Sequence, residues 1–496
     1  MLPYKTIIAI DRASGVPLYL QICNEFIKEI SAGTIASGLK LPGSRKLSEL
    51  LEVNRRTIIS AYEELEAQGW LEVKPNQGAF VSSKIPITHG RPLAGGVLYD
   101  HKEQSVFDLN DKLDFLEHYR PPDAAKPELV IDAGYPDVRL APLRALTRHM
   151  NGIINGKRSV KLLDYSDNFN GDPVLREEVV NYLAETRSIN VSVDNIMITR
   201  GSLMAFFNIF QVLLKRDDRV IVGDVSFRVA NDIIRIAGGN LVKVPMDEDG
   251  IDVNAIEEAC EEGPVRAVFI MPHHHNPTTV SLCAERRMKL LMLAEKYRFA
   301  IIEDDYDYDF HYNSSPVLPM ASSDRSGSVI YVGSLSKTVA PGLRTGFIVA
   351  PTNFVKELSR LSRFIDCHGN MAQERAIAML FEEGEIRRHM KKALKAYRVR
   401  RDLFCKLLKE KLGELVSFKV PDGGLAVWTT FHDSINLDQL RETTLKKGLL
   451  ISKSVFSDAE GNRLNAIRMG FASLNEKETE RAMDILKESV DKLLCQ

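Results

Sequence analysis

Between about residues 15 and 83, apolar positions recur at helical spacing in short bursts separated by turn residues. The segment PLYLQICNEFIKEISAGTI predicts a helix with Leu20, Phe26, Ile27 and Ile30 on one face, closed by Gly33. LPGSRKLSELLEV predicts a second helix with Ser44 as N-cap after Pro42-Gly43, and NRRTIISAYEELEAQGW a third, with Asn54 as N-cap and Gly69 as its stop. LEVKPNQGAFV then predicts two short strands around a Pro-Asn-Gln-Gly turn, a wing. Residues 84–127 read as a linker, because Pro86, Gly90, Pro92, Gly95, Gly96, Pro121, Pro122 and Pro127 break regular structure, although FDLNDKLDFLEHY predicts one helical piece within it. Beyond the linker the period changes. Apolar runs of strand length, VFIM (268–271), FAIIE (299–303) and VIYVG (329–333), alternate with helical stretches such as AERRMKLLMLAEKY (284–297), which predicts βα units around a mostly parallel sheet. The expected organisation is a small α+β unit over residues 1–83, the linker, and an α/β domain over residues 128–496 flanked by helices.

Composition narrows the function. A chain of 496 residues with 44% hydrophobic residues can bury large cores, and a net charge of −2 confines any nucleic-acid contact to a local basic patch. The six cysteines are scattered without a C-x-x-C pair, the pattern of reduced thiols in a cytosolic protein. MLPYKTIIAIDRASG lacks the apolar core of a signal peptide, and no run of roughly 18 apolar residues predicts a membrane span. The expected location is cytoplasmic.

The second and third helices, joined by a tight turn, form a helix-turn-helix whose recognition helix starts Asn54-Arg55-Arg56-Thr57. Arg can donate in bidentate fashion to guanine, and Asn or Thr can bond bases or phosphates. Over residues 1–83 the Lys and Arg only balance the Asp and Glu, as a plain protein-docking module would also have it. The distribution is uneven, however: Lys40, Arg45, Lys46, Arg55 and Arg56 cluster with only Glu49 and Glu52 among them. The run from PLYLQI through LPGSRKLSELLEVNRRTIISAYEELEAQGWLEVKPNQGAFV resembles the winged-helix domain of the GntR family of bacterial repressors over its whole length. The resemblance implies DNA contacts at Arg45, at Asn54, Arg55, Arg56 and Thr57, and at Gln77 and Gly78 in the wing.

Four motifs carry the chemistry of the larger domain. ITRGSLMAFFNIF turns from a strand through Gly201 and Ser202 into a helix whose first amides suit a phosphate. HHHNPTT offers the side-chain amide of Asn276; as a metal cluster it fails, because three consecutive histidines point apart and no matching ligand spacing follows. AIIEDDYDYDF delivers Asp304 and Tyr306 from the end of a strand. VGSLSKTVAPGLRTGF combines Ser334, Ser336, Lys337 and Arg344. Singly, they admit other readings: EDDYDYD as a solvated acidic loop or a magnesium site, and Ser-Leu-Ser-Lys as a polar loop. Together they supply what pyridoxal 5'-phosphate needs: Lys337 for the aldehyde, Asp304 for the ring nitrogen, Asn276 and Tyr306 for the phenolic oxygen, and Arg344 with Gly201, Ser202, Ser334 and Ser336 for the phosphate. LNAIRMGFA puts Arg468 on a strand, suited to an effector carboxylate.

From about residue 130 the chain resembles a fold-type I, class I aminotransferase domain, and with the head before it the whole resembles the MocR subgroup of PLP-dependent regulators. The resemblance implies a homodimer, with Tyr165 in LLDYSDNFNGDPVLREEVVNYL reaching the neighbouring subunit's phosphate. Three positions depart from the family pattern. Phe227 stands where a Tyr usually stacks on the cofactor ring, Thr279 replaces a Gly, and HHHNPTT is closer to true aminotransferases. The function implied is a regulator of a double-stranded DNA operator with two half-sites, sensing a small amino compound by aldimine exchange at Lys337. Two alternatives stay open at this level: a catalytically active aminotransferase carrying a DNA-binding head, and a regulator whose large domain is a cofactor-free scaffold.

Overall fold

The computed structural model describes residues 2–85, 116, 127–157, 159–165, 167–312, 317–453, 456–457 and 461–495. Two compact units divide the chain, Met1–Leu109 and Asn110–Gln496. The expected linker lies outside the described residues except at Lys84, Ile85, Leu116 and Pro127, and with it almost all of the FDLNDKLDFLEHY helix.

The first unit contains helices α1 (Tyr4–Ile7), α2 (Leu18–Ser31), α3 (Ser44–Leu51) and α4 (Arg55–Ala67), then strands β1 (Leu71–Lys74) and β2 (Gly78–Val81). Helix α2 buries Ile22, Cys23, Phe26 and Ile30. Leu20, expected on that face, stays outside the core cluster while Ile27 packs at its edge. The reason is angular: two residues at 100° each put Leu20 nearly opposite Ile22, so the i, i+4, i+8 stripe of Ile22, Phe26 and Ile30 excludes it. The start of α3 is also corrected. Ser44 is its first helical residue, and Gly43 in extended backbone holds the cap position without a side-chain bond. Asn54 does cap α4, its side-chain oxygen accepting from the Arg56 amide at 2.8 Å. Strands β1 and β2 pair antiparallel from Leu71↔Val81 to Lys74↔Gly78, with Asn76 at φ 59° in the turn. Sequence reasoning assigned the first residues no role, yet Tyr4 and Ile8 are buried in this core. Lys5 and Arg12 fasten the same segment to Glu52, at its carboxylate (2.6 Å) and its carbonyl oxygen (2.7 Å) respectively, at the turn that leads into α4.

In the second unit, β3 (Leu129–Ile131) precedes the strands of the central sheet: β4 (Ile196–Thr199), β5 (Arg219–Gly223), β6 (Asn240–Val244), β7 (Ala267–Ile270), β8 (Ala300–Asp305), β9 (Val329–Ser334) and β10 (Gly346–Val349). Among the described residues the sheet has seven strands in the order β4-β10-β9-β8-β7-β5-β6. All pairs are parallel except those that β10 makes with β9 and β4. Successive residues alternate between two apolar layers: Ile221, Val268 and Ile301 pack on one face, and Val222, Phe269 and Ile302 on the other. A sheet covered on both faces needs such continuous apolar runs. Helix α5 (Ser202–Leu213) leaves β4 across Gly201, α6 (Arg228–Ile236) follows β5, and α7 (Ala284–Tyr297) spans the range its pattern predicts. Toward the C-terminus, β11 (Val416–Phe418), β12 (Ala426–Phe431) and β14 (Ala466–Gly470) form a small antiparallel sheet, while β13 (Leu449–Ile451) pairs parallel with β3. Because β4, β7, β8 and β9 run parallel, their C-terminal ends share one edge of the central sheet.

Candidate cofactor site and nucleic-acid interface

At that edge lies a cavity of ≈ 690 Å³ whose lining includes Ser202, Phe227, Asn276, Asp304, Tyr306, Ser334, Ser336, Lys337, Arg344 and Arg468. Nine of the residues singled out in four separate motifs and on one late strand, together with Phe227, thus converge on a single space. Gly201 stands behind it: at φ +79° it turns β4 into α5, and a Cβ there would come within 2.9 Å of Arg344 Nη2. Only glycine lets the guanidinium lie against this turn. Arg344, itself left-handed at φ 51°, also reaches the Arg200 carbonyl oxygen at 3.4 Å.

Lys337 Nζ donates to the Gly134 carbonyl oxygen at 2.8 Å and sits 4.4 Å from the centroid of the Tyr135 ring. Burial pushes its amine down to about 8, against the charges of Asp132, Asp307 and Asp304, which pull the other way. Asp304 is 2% exposed, and its Oδ1 has no hydrogen-bond partner. Burial, then the neighbouring Asp305 and Asp307, raise this carboxyl well above the usual carboxylate range, with Lys337 drawing it back. Asp305 next to it behaves oppositely: burial pushes it up, but His273, Arg187 and Tyr331 outweigh that and hold it at about 2. The Ser336 hydroxyl is a second buried group facing no partner, while Ser334 Oγ accepts from the Ser336 amide at 3.2 Å.

Arg468, on β14, is 2% exposed and already engaged. It donates to the carbonyl oxygens of Ala133 (3.0 Å), His275 (3.1 Å) and Pro277 (3.0 Å), and to the Tyr306 hydroxyl at 2.9 Å. Tyr306 in turn donates to the His274 carbonyl oxygen at 2.7 Å. The three consecutive histidines face separate partners: Asp305 at 3.1 Å from His273, Asp307 at 2.9 Å from His274, and the Thr278 hydroxyl at 2.8 Å from His275. Among the described residues no group of three His, Cys, Asp or Glu stands where it could hold a metal ion. Tyr165 is 89% exposed and outside this chain's own cavity. Sequence reasoning missed the Asp132-Ala133-Gly134-Tyr135 turn, which closes one wall over Lys337, as well as Ser452 and Lys453. The turn had a sequence mark, an apolar strand (LVI) running into Asp-Ala-Gly-Tyr-Pro.

In the first unit, Arg45, Asn54, Arg55 and Arg56 are exposed at the starts of α3 and α4, Thr57 is half-buried, and Gln77 and Gly78 are exposed at the wing. Arg55 Nε donates to Ser44 Oγ at 3.3 Å, which draws the two helix starts together. Tyr62 on α4 donates to the Pro42 carbonyl oxygen at 2.8 Å and fixes the segment leading into α3.

Residues 18–81 match the family of bacterial regulatory proteins of the gntR type, and residues 158–486 match aminotransferase class I and II. The HTH-type transcriptional regulator YdfD of Bacillus subtilis is 30% identical over 93% of this chain and 94% of its own length. The probable rhizopine catabolism regulatory protein MocR of Rhizobium meliloti is 24% identical over 97% of this chain and 95% of its own. The Pyrococcus horikoshii kynurenine aminotransferase, solved in complex with PMP, superposes with a TM-score of 0.68 at 27% identity, over 75% of this chain and 92% of its own. The chain therefore belongs to the MocR-type GntR regulators, in which a winged helix-turn-helix precedes an aminotransferase class I and II domain.

Proposed function

We propose that this protein is a cytoplasmic, homodimeric transcriptional regulator that binds operator DNA through its first unit and, through pyridoxal phosphate in its second, senses a small amino compound. The observation that carries the sensing half is Asp304: a buried carboxylate with an unpartnered oxygen lining the same cavity as Lys337. An isolated buried carboxylate is costly, and a cationic ring nitrogen is the partner that would relieve it. The unpartnered Ser336 hydroxyl, Arg344 against Gly201 and the first turn of α5 fit the phosphate in the same way.

When bound, the cofactor supplies an aldehyde that condenses reversibly with primary amines. The chain's own residues supply the rest. Lys337, with its amine lowered to about 8, holds a sizeable neutral fraction near neutral pH and so can act as nucleophile. Asn276 would meet the ring's phenolic oxygen, Tyr306 would join it on turning its hydroxyl from the His274 carbonyl oxygen, and Phe227 would cover the ring. Arg468 recognises an effector carboxylate by exchanging one of its carbonyl contacts for it. Those contacts tie β14 to the Ala133 and His275–Pro277 loops, so an effector drawing on Arg468 interacts differently with two arrangements of the domain, which a ligand must do to shift between them. Tyr165, exposed and aromatic, serves the partner subunit's phosphate. The residues 1–83 form the DNA-binding domain, 84–127 the linker and 128–496 the effector domain; no described helix is long and apolar enough to cross a membrane.

The test is an absorption spectrum with and without added PLP for the wild type and Lys337→Ala, then duplex-DNA affinity across a panel of primary amines. A visible band that requires Lys337, shifted by one amine class that also changes DNA affinity, is the expected result. Absence of the band removes the sensing half. A second reading is favoured by the same lowered Lys337 amine, which suits a proton-transfer catalyst. Sustained transamination of the shifting amine with a keto acid would make the protein an active aminotransferase with a DNA-binding head.

A further inference from the structure

We propose that Lys40 and Lys74, gathered over the Phe80 ring on one face of the wing, form a phosphodiester-binding clamp for the DNA backbone. The inference rests on the DNA-binding reading above and adds to it two residues which that reading does not name.

The clamp is assembled by backbone pairing. Leu41 donates to the Ala79 carbonyl oxygen at 2.9 Å, Val81 donates to that of Leu39 at 2.9 Å, and Lys40 makes a β-bridge with Phe80. A segment far from the wing in sequence is thereby added along β2 as a third, short strand. The Lys40 ammonium lies 5.8 Å from the Phe80 centroid, and that of Lys74, the last residue of β1, lies 5.1 Å from it. Strand register explains the meeting: Lys74 pairs with Gly78 and Glu72 with Phe80, so all four belong to one face of the wing. Gly78, at φ +107°, leaves room for the Lys40 stem, since a Cβ there would stand 3.3 Å from Lys40 Cε.

Two exposed cations over one ring repel each other, and among the described residues neither has a carboxylate within ion-pair distance. Glu72 is the acidic group on this face, and its Oε1 is approached by the Ser82 hydroxyl at 3.4 Å. The aromatic face steadies both long side chains in one region, which leaves two ammonium groups preset for one shared anion. The site adjoins the rest of the DNA surface through the chain itself. Lys40 precedes Leu41-Pro42-Gly43-Ser44-Arg45, a segment tied to the recognition helix by Tyr62, and Lys74 precedes the turn that carries Gln77 and Gly78. A backbone phosphate flanking the groove contacts is the anion that such a position meets.

The test measures affinity of the full-length protein for mixed-sequence duplex DNA across a salt series. Removing one cation that neutralises a DNA phosphate should lower the slope of log K against log salt by roughly 0.9. Lys40→Met/Lys74→Met should lower it by about that amount per lysine on each engaged head, while Lys40→Arg/Lys74→Arg keeps the wild-type slope. Lys28→Met, whose ammonium faces Glu25 on α2, is the control expected to change nothing. An unchanged slope in the double Met variant, with the wild type binding, overturns the clamp alone. A wild type with no salt-dependent binding to duplex overturns the DNA-binding reading and the clamp with it.

Discussion

Lys337 donates a hydrogen bond to the carbonyl oxygen of Gly134, 203 positions away, at 2.8 Å. The contact closes the turn after β3 over the amine and helps remove it from water, which is the main cause of its lowered basicity.

The pH dependence follows. The rate of PLP incorporation into apoprotein should rise through about pH 8 as Lys337 loses its proton, and level off above it. Between about 8 and the ordinary value of 10.5 the unfolded chain holds a proton that the folded chain does not, so this residue's contribution makes the apoprotein more stable as pH rises across that window. Absorbance-monitored loading and thermal melts over a pH series check both; a loading rate flat from neutral pH upward would contradict the assignment.

Asp304→Asn should move two quantities in opposite directions. A carboxyl raised on folding costs stability at pH values above the ordinary carboxylate range, a cost that shrinks as pH falls from the raised value and vanishes at the ordinary one. The variant apoprotein should therefore melt higher near neutral pH, with the difference narrowing toward acid. PLP affinity should fall by roughly tenfold to a hundredfold, the scale of a hydrogen bond to a charged group at about 1.5–3 kcal/mol. Calorimetry and cofactor titration give the two numbers.

Gly201→Ala adds a methyl group 2.9 Å from Arg344 Nη2 in a backbone conformation that L-residues rarely adopt. Arg344 must shift, and PLP retention during gel filtration should drop without loss of the sheet. Retention equal to that of the wild type would mean that Arg344 does not act on the phosphate.

In the first unit, Ile8→Ala should cost about 2–5 kcal/mol, because Ile8 is 2% exposed in that core. Asn54→Ala should cost about 1 kcal/mol by removing the α4 cap. Urea unfolding of the full chain in a Trp428→Phe background, where Trp70 alone reports, measures each. An Ile8→Ala variant with wild-type stability would make the N-terminal segment an appendage rather than a part of the fold.

The sequence by itself determined the local elements and the chemical inventory. Period and punctuation are local properties, so α7 and the wing strands fall where the pattern puts them, and Lys337, Asp304, Asn276 and Arg344 were legible because each sits in a short motif of chemically apt types. Local readings failed where a boundary is set by the surroundings, as at Ser44, and at Leu20, where the angular position relative to the packed stripe decides burial. Only the tertiary structure decided what meets across long loops. Parallel strands bring the ends of β4, β7, β8 and β9 to one edge, and no periodicity encodes that Gly134 would face Lys337, that four acceptors would occupy Arg468, or that Lys40 would join Lys74 over Phe80. Those relationships come from packing and strand register, which depend on the whole chain's burial rather than on any window of it.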